Sequence, residues 1–192
     1  MSKKTKELVV DFRKNVLEPI PDLFIGDQKV ERVDEYKYLG TIIDRNLNFE
    51  SNTKAINKKC QSRIYCLQKL RSLSMKKELL SSFYRCFLES VLTFGFLCWF
   101  GGLSVANKNI LDRVVRVCGK VIGEKQCSVS ELYKIQAQKR GISIANDHTH
   151  VMNQYFQPLP SGRRYRVLKY KTQRFNKSFV NQAIHFMNSK SV

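Results

Sequence analysis

A few stretches of the chain hold the residue types from which reactive sites are built. Asp147-His148-Thr149-His150 sets a carboxylate beside two clustered histidines, the pattern of a metal site or a general base. No third ligand stands at a spacing that completes it, so the stretch reads as a loop held by local hydrogen bonds. A two-metal nucleotidyl-transfer centre needs carboxylates gathered around Mg²⁺, usually marked by Asp-Asp after an aromatic. The chain has no Asp-Asp, and its one adjacent acid pair, Asp34-Glu35, falls in a polar strand and reads as solvated surface. Cysteines at 60, 66, 86, 98, 118 and 127 include no C-x-x-C pair, which speaks against a zinc ribbon or knuckle. Most of them fall in apolar helical patterns, where a free thiol behaves as a small hydrophobe, and a reducing compartment fits them. The His-x-Asp of iron oxygenases is absent, and Gly101-Gly102 lacks the third glycine and the following acid of a cofactor loop. The expectation is no catalytic site, no metal and no cofactor.

The positive signals are for binding. Pro158-Leu159-Pro160-Ser161-Gly162-Arg163-Arg164-Tyr165-Arg166 lies in a segment that has no acid after Asp147 and eight Lys or Arg from His148 to Val192. Arg163, Arg164 and Arg166 carry planar guanidinium groups that fork onto phosphates, with Tyr165 among them. Tyr36 and Tyr38 alternate on a strand with Lys37 between, an arrangement suited to a nucleic-acid backbone or sugar. Charge separates along the chain. Residues 1–50 hold ten acids and nine bases, whereas residues 51–192 hold six acids and 25 bases, within a total of +18. A basic partner surface in the C-terminal three-quarters follows, with nucleic acid as the expected partner and no small-molecule substrate.

The elements that must position these residues change character near Asn48. Before it, residues 7–12 read as a short strand, Phe24 to Val33 as a hairpin about Gly26-Asp27, and Tyr36 to Ile43 as a further strand. After it the period becomes helical. Ile56, Cys60, Ile64, Leu67 and Leu70 mark one stripe, with Lys54, Lys58, Lys59 and Arg63 on other faces. Ser74 is placed to cap a second helix bearing Leu79, Leu80, Phe83, Cys86, Phe87, Val91 and Phe94, apolar on several sides and suited to the centre of the core. Ser104 caps a third, with Ile110, Leu111, Val114, Val115, Cys118, Val121 and Ile122 inward and Gly123 at its end. Ser128 to Glu131 is a capping box opening a fourth that runs to about Ile144. Phe175, Phe179, Ala183, Ile184 and Met187 mark a last amphipathic stretch.

The fold class expected is α+β, mostly α: a small N-terminal antiparallel β unit, a basic bundle of about four helices, and an extended basic tail. The boundaries expected are 1–48, 49–147 and 148–192. Residues 1–7 lack the apolar core of a signal peptide, and Val91 to Phe100 is too short to span a bilayer. The expectation is an intracellular protein, nuclear or cytoplasmic, with no transmembrane segment and no membrane partner.

Several stretches together resemble the C-terminal part of the reverse transcriptase of LINE-type non-LTR retrotransposons. Lys4 to Arg13 is similar to a segment late in the palm, and Tyr36-Lys37-Tyr38-Leu39-Gly40 to the aromatic-Lys-aromatic-Leu-Gly strand of the primer grip. Gln61 to Arg71 and Phe83 to Thr93 are similar to the first two thumb helices, and Leu159 to Arg166 to a motif near the family's C-terminus. This resemblance implies primer and template handling by Tyr36, Lys37, Tyr38 and Gly40 and by basic thumb helices, on RNA, DNA or a hybrid duplex. It implies no catalysis, since nothing here matches the family's aromatic-x-Asp-Asp, and Lys4, which matches a late-palm lysine, lacks its partners. On this resemblance the chain begins within the palm, and the β unit has lost its sheet neighbours.

A narrower resemblance links Lys3 to Arg13, and on towards Gly40, with the short N-terminal region of AlkB homologue 8 proteins. Those are tRNA-modifying enzymes with a 2-oxoglutarate oxygenase and a methyltransferase domain, and neither domain is matched. The leading expectation is therefore a non-catalytic reverse-transcriptase-derived fragment that binds nucleic acid without sequence preference. An AlkB homologue 8 N-terminal-like protein and a non-functional open reading frame that does not fold stably stand as alternatives.

Overall fold

The computed structural model describes residues 5–13 and 20–189, so Lys4 lies outside the described residues. The fold is α+β and mostly α, with short strands ahead of a helical region. The strands are β1 (Lys6–Glu7), β2 (Phe24–Ile25), β3 (Gln28–Lys29), β4 (Glu31–Arg32), β5 (Glu35–Tyr38) and β6 (Thr41–Asp44). They pair two by two: β2 with β3 and β5 with β6 antiparallel, β1 with β4 parallel. The strand expected over 7–12 is confined to Lys6–Glu7, because its partner β4 offers only two paired residues. The single strand expected from Tyr36 to Ile43 is a hairpin. Leu39 and Gly40 both take positive φ, 45° and 89°, the turn whose twist matches two antiparallel strands. Glycine accepts that backbone freely, and Leu39 takes it at a steric cost.

The loop after this hairpin hangs on one carboxylate. Asp44 is buried, and its Oδ1 accepts from the amides of Asn46 (3.0 Å) and Asn48 (3.2 Å) while Oδ2 accepts from Phe49 (2.7 Å). Its carbonyl takes the Leu47 amide at 2.9 Å. Leu47 and Phe49 both sit at positive φ, conformations that side chains other than glycine adopt only when held there. Phe49 then stands at the N-cap of α1 (Glu50–Ser72), and Asn52 in the first turn reaches back to accept from the Ile42 amide at 3.1 Å. Hairpin and helix are thereby locked together.

α1 packs along α5 (Val105–Ile122). Ile56, Cys60, Ile64 and Leu67 are buried against a line that includes Leu111, Val114, Val115, Cys118 and Ile122. Each large side chain taken fully out of water contributes about 1.5–3 kcal/mol. Between them lies the helical stretch α2 (Lys77–Phe83), a π-helical segment over Tyr84–Glu89, and α3 (Ser90–Leu92). Its core-facing line is Leu80, Tyr84, Leu88 and Leu92, all fully buried. Leu79, Phe87 and Phe94, on a helix expected at the centre of the core, are 55%, 50% and 57% exposed, so only one side of this apolar helix is covered. Ser74 is not the cap of α2: it closes the turn after α1 at φ 56°, and Lys76 precedes α2.

Lys77–Gly102 is, by length and composition, the one helical stretch among the described residues apolar enough to cross a membrane. It breaks at Gly95 (φ 60°) before α4 (Phe96–Trp99), and its buried line is committed to the core, so it gives no clear span. Ser104 accepts from the Asn107 amide and Gly123 closes α5 in the left-handed region, as the sequence indicates. The capping box of Ser128 and Glu131 opens α6 (Val129–Asn146), while Ile110 is only half-buried.

Past α6 the chain is irregular as far as α7 (Gln173–Asn176), then α8 (Phe179–Asn188) returns along α6. The segment is thus not extended throughout: Phe156, Val180, Ala183, Ile184 and Met187 build a second cluster with Ile144. Gly141 permits this approach. A Cβ there would stand 2.7 Å from Met187 Sδ and 3.2 Å from Ala183 Cβ.

Cys60 and Cys118 are core residues, and burial pushes their thiols up to about 11 and about 12. The other four cysteines are exposed, more than the apolar helical pattern indicates. Two outcomes follow. At mildly alkaline pH a water-soluble thiol reagent reacts quickly with Cys66, Cys86, Cys98 and Cys127 and reaches Cys60 and Cys118 only on unfolding. Asp44→Ala costs about 2–3 kcal/mol, read as a lower midpoint in a far-ultraviolet circular dichroism melt, and Asp44→Asn, which keeps one acceptor oxygen, costs less.

Candidate nucleic-acid interface

The hairpin, α1 and the α2–α3 stretch enclose an open groove of about 440 Å³. Three of the residues singled out from sequence meet there: Gly40, Lys59 and Arg63. Gly40 brings the hairpin turn onto Phe94, whose ring lies 3.2 Å from where a Cβ would stand. Lys59 and Arg63 are one helical turn apart, so both face the groove from α1. Arg63 Nη1 donates to the Phe87 carbonyl, within the π-helical segment. A π-segment shifts carbonyls out of the ordinary helix ladder, and here the guanidinium takes one up. Arg63 is thus both a cation and a brace between two helices.

Lys54 and Lys58 lie along another side of α1, followed by Tyr65 and Lys69, whose Nζ is 5.6 Å from the Tyr65 ring centroid. Lys54 is paired with Glu50 at 2.7 Å, which raises its pKa, so its charge is partly matched. Lys58 and Lys59 are exposed. On the hairpin, Tyr36 opposes Ile43 and Tyr38 opposes Thr41, while Lys37 opposes Ile42. The two tyrosines therefore share one face, with Lys37 on the other. Tyr38 is the more exposed ring, at 57% against 38% for Tyr36.

Arg163, Arg164, Tyr165 and Arg166 are held on a turn of their own. Gly162 takes φ 67° and its amide donates to the Leu159 carbonyl. Pro158 bridges Tyr165, the Arg166 amide donates to the Gln157 carbonyl, and Asn188 of α8 clasps both backbone polar groups of Tyr165 at 2.8 and 3.0 Å. Tyr165 is half-buried against the second cluster, so it anchors the turn rather than offering a free ring. The three arginines are exposed around it. This turn is seated on α8, apart from the groove beside α1.

The remaining chemical candidates are structural. Asp147 Oδ1 accepts from the Thr149 amide (3.0 Å) and hydroxyl (2.6 Å), and those bonds lower its pKa. His150 Nδ1 accepts from the Met152 amide at 3.1 Å. Asp34 pairs with Arg45, and Glu35 accepts from the Ser51 hydroxyl. Among the described residues no three His, Cys, Asp or Glu side chains converge on a common point.

Sequence reasoning missed Asp44, Asn52 and Arg174. Arg174 Nη1 donates to the Asn46 carbonyl at 3.1 Å, and its guanidinium carbon stands 3.6 Å from the Phe12 ring centroid, tying the start of α7 to the N-terminal region. An Asp followed by Arg-Asn-Leu-Asn carries a turn signal that finds Asp44; nothing local marks Arg174.

The family described as "Alkylated DNA repair protein alkB homolog 8, N-terminal" matches residues 49–90. The likeness to AlkB homologue 8 is thus present, but not over residues 3–13 or on towards 40: it covers α1, α2 and the π-helical segment. No curated protein and no solved structure matches the chain. The reverse-transcriptase likeness rests on its residues alone.

Proposed function

We propose that the chain is a non-catalytic nucleic-acid-binding protein derived from the thumb end of a reverse transcriptase, acting through backbone electrostatics rather than base sequence. The observation that carries this is the charge balance past residue 50. Six acids cannot neutralise 25 bases, whatever the pairing. In the N-terminal region, by contrast, pairs such as Lys6–Glu31, Lys29–Asp22, Arg32–Glu7 and Arg45–Asp34 match the charge locally. The buried helix faces are apolar, so surplus cations such as Lys58, Lys59, Arg164 and Arg166 lie at the surface, and a polyanion that releases its counterions is the partner such a surface favours. Lys58, Lys59, Arg63, Arg163, Arg164 and Arg166 would meet phosphate, and Tyr36, Tyr38 and the Gly40 turn would meet the strand along the hairpin, with Lys37 adding charge from its opposite face. Lys54, shared with Glu50, would contribute less.

A second reading draws on residues 49–90. The family that matches them is named for an alkylated-DNA repair protein, so α1 and α2 would be a segment that accompanies nucleic-acid modification elsewhere. The oxygenase and methyltransferase domains implied by that likeness find no counterpart in the sequence. On this reading the chain would assist such chemistry only alongside a catalytic partner. Assays of 2-oxoglutarate turnover and of methyl transfer to tRNA by an added oxygenase or methyltransferase separate the two: the first reading expects no change when the chain is added, and a stimulated rate would favour the second.

The first reading is tested by charge removal. Arg164→Gln with Arg166→Gln, both on the exposed turn, weakens binding of duplex and single strand alike without shifting the melting midpoint. For each phosphate that the variant no longer neutralises, the steepness of the salt dependence falls by about 0.9 on duplex DNA. An unchanged affinity in filter binding would remove the turn from the interface.

A further inference from the structure

The groove beside α1 contains a polar group that finds no partner among the described residues. Asn52 is 3% exposed and lines this groove. Its Oδ1 accepts from the Ile42 amide at 3.1 Å, which fixes the orientation of the side-chain amide. Its Nδ2 is buried and donates to nothing among the described residues. A buried donor left unpaired is costly, and such groups in native proteins call for an explanation. Around it stand Lys59 and Arg63 on one wall and the exposed rings of Phe87 and Phe94 on the other. One donor, two cations and two aromatic rings meet in a space of about 440 Å³.

We infer that this groove seats one nucleotide of a single strand, with a base carbonyl accepting from Asn52 Nδ2, the base against the Phe94 ring, and its phosphate at Lys59. The chemistry is complementary at each point. A lone neutral donor wants a neutral acceptor, which the base carbonyls of thymine, uracil, cytosine and guanine supply. The cations of α1 want an anion, and they line the groove from α1, across from the rings of Phe87 and Phe94. Exposed aromatic rings give a stacking surface that every base can use. A duplex buries its base faces in its own stack and cannot enter such a groove. An acidic peptide would satisfy the cations but would leave the stacking surface unused.

This inference rests on the proposed function, and the test keeps the two apart. Fluorescence anisotropy is measured with an oligothymidylate and with an abasic deoxyribose-phosphate strand of equal length, which keeps the phosphates and removes the bases. The intact protein is expected to favour the oligothymidylate by about tenfold, a modest gain for one stacked base. Phe94→Leu, which keeps an apolar group against Gly40 but removes the π-face, is expected to abolish that preference and leave abasic binding unchanged. Asn52→Asp, which retains the acceptor for Ile42 and exchanges the donor for a second acceptor, is expected to remove the preference as well, while its added negative charge weakens both strands, with a circular dichroism melt confirming that it folds. Equal binding of both strands by the intact protein, or a preference that survives Phe94→Leu, would overturn the groove assignment while leaving electrostatic binding in place. Binding to neither strand would overturn both.

Discussion

The Asp44 carboxylate holds together the junction between the β5–β6 hairpin and α1 on which the candidate groove depends. Three amides converge on its two oxygens and a fourth on its carbonyl. These bonds stabilise a loop whose Leu47 and Phe49 would otherwise avoid positive φ. The consequence reaches outward in steps. With the loop fixed, Phe49 starts α1 in one direction, Asn52 faces the hairpin, and the Leu39-Gly40 turn settles against Phe94. The Asn46 carbonyl, held within the same loop, also receives Arg174 from the far end of the chain. A two-stranded hairpin is marginal alone in water, and here a helix orders it through one buried acid.

Packing and charge divide the rest of the chain between them. α1, the α2–α3 stretch, α5 and α6 commit their apolar lines to a common core, centred where Cys60, Tyr84 and Cys118 are fully buried. Phe96, Phe100 and Tyr133 extend it as an aromatic cluster, with Phe100 and Tyr133 centroids 5.0 Å apart. α8 closes the structure on α6 through the space left by Gly141. Because these contacts are apolar, the cations lie outside them, and the folding of the helices itself sorts the positive charge onto the surface. A basic surface with few acids repels itself, which costs stability and favours association with an anion.

Local signals in the sequence located much of this. Ser104, the Ser128–Glu131 box and Gly123 stand where capping chemistry puts them, and the Ile56-Cys60-Ile64-Leu67 stripe is buried. What was not legible depends on contacts between distant residues. A π-segment over Tyr84–Glu89 moves the buried line to Leu80-Tyr84-Leu88-Leu92, and period alone cannot tell that line from its neighbour Leu79-Phe83-Phe87. The hairpin within Tyr36 to Asp44 hides because Leu-Gly is a weaker turn signal than Asn-Gly. Of the candidate site, Gly40, Lys59 and Arg63 come together as one groove, while Arg163 to Arg166 stand on a separate turn. Asn52 escaped notice because an asparagine in a first helical turn is ordinarily a solvated or capping residue.

What we propose of the chain as a whole is that surplus positive charge beyond residue 50 makes it a nucleic-acid-binding protein. The affinity for a duplex and for a single strand, followed across a range of monovalent salt, decides this. The expected result is a straight fall of log affinity with log salt, with a slope set by several phosphate contacts at about 0.9 each on a duplex and about 0.7 on a single strand. A flat response, or no binding at low salt, would contradict it.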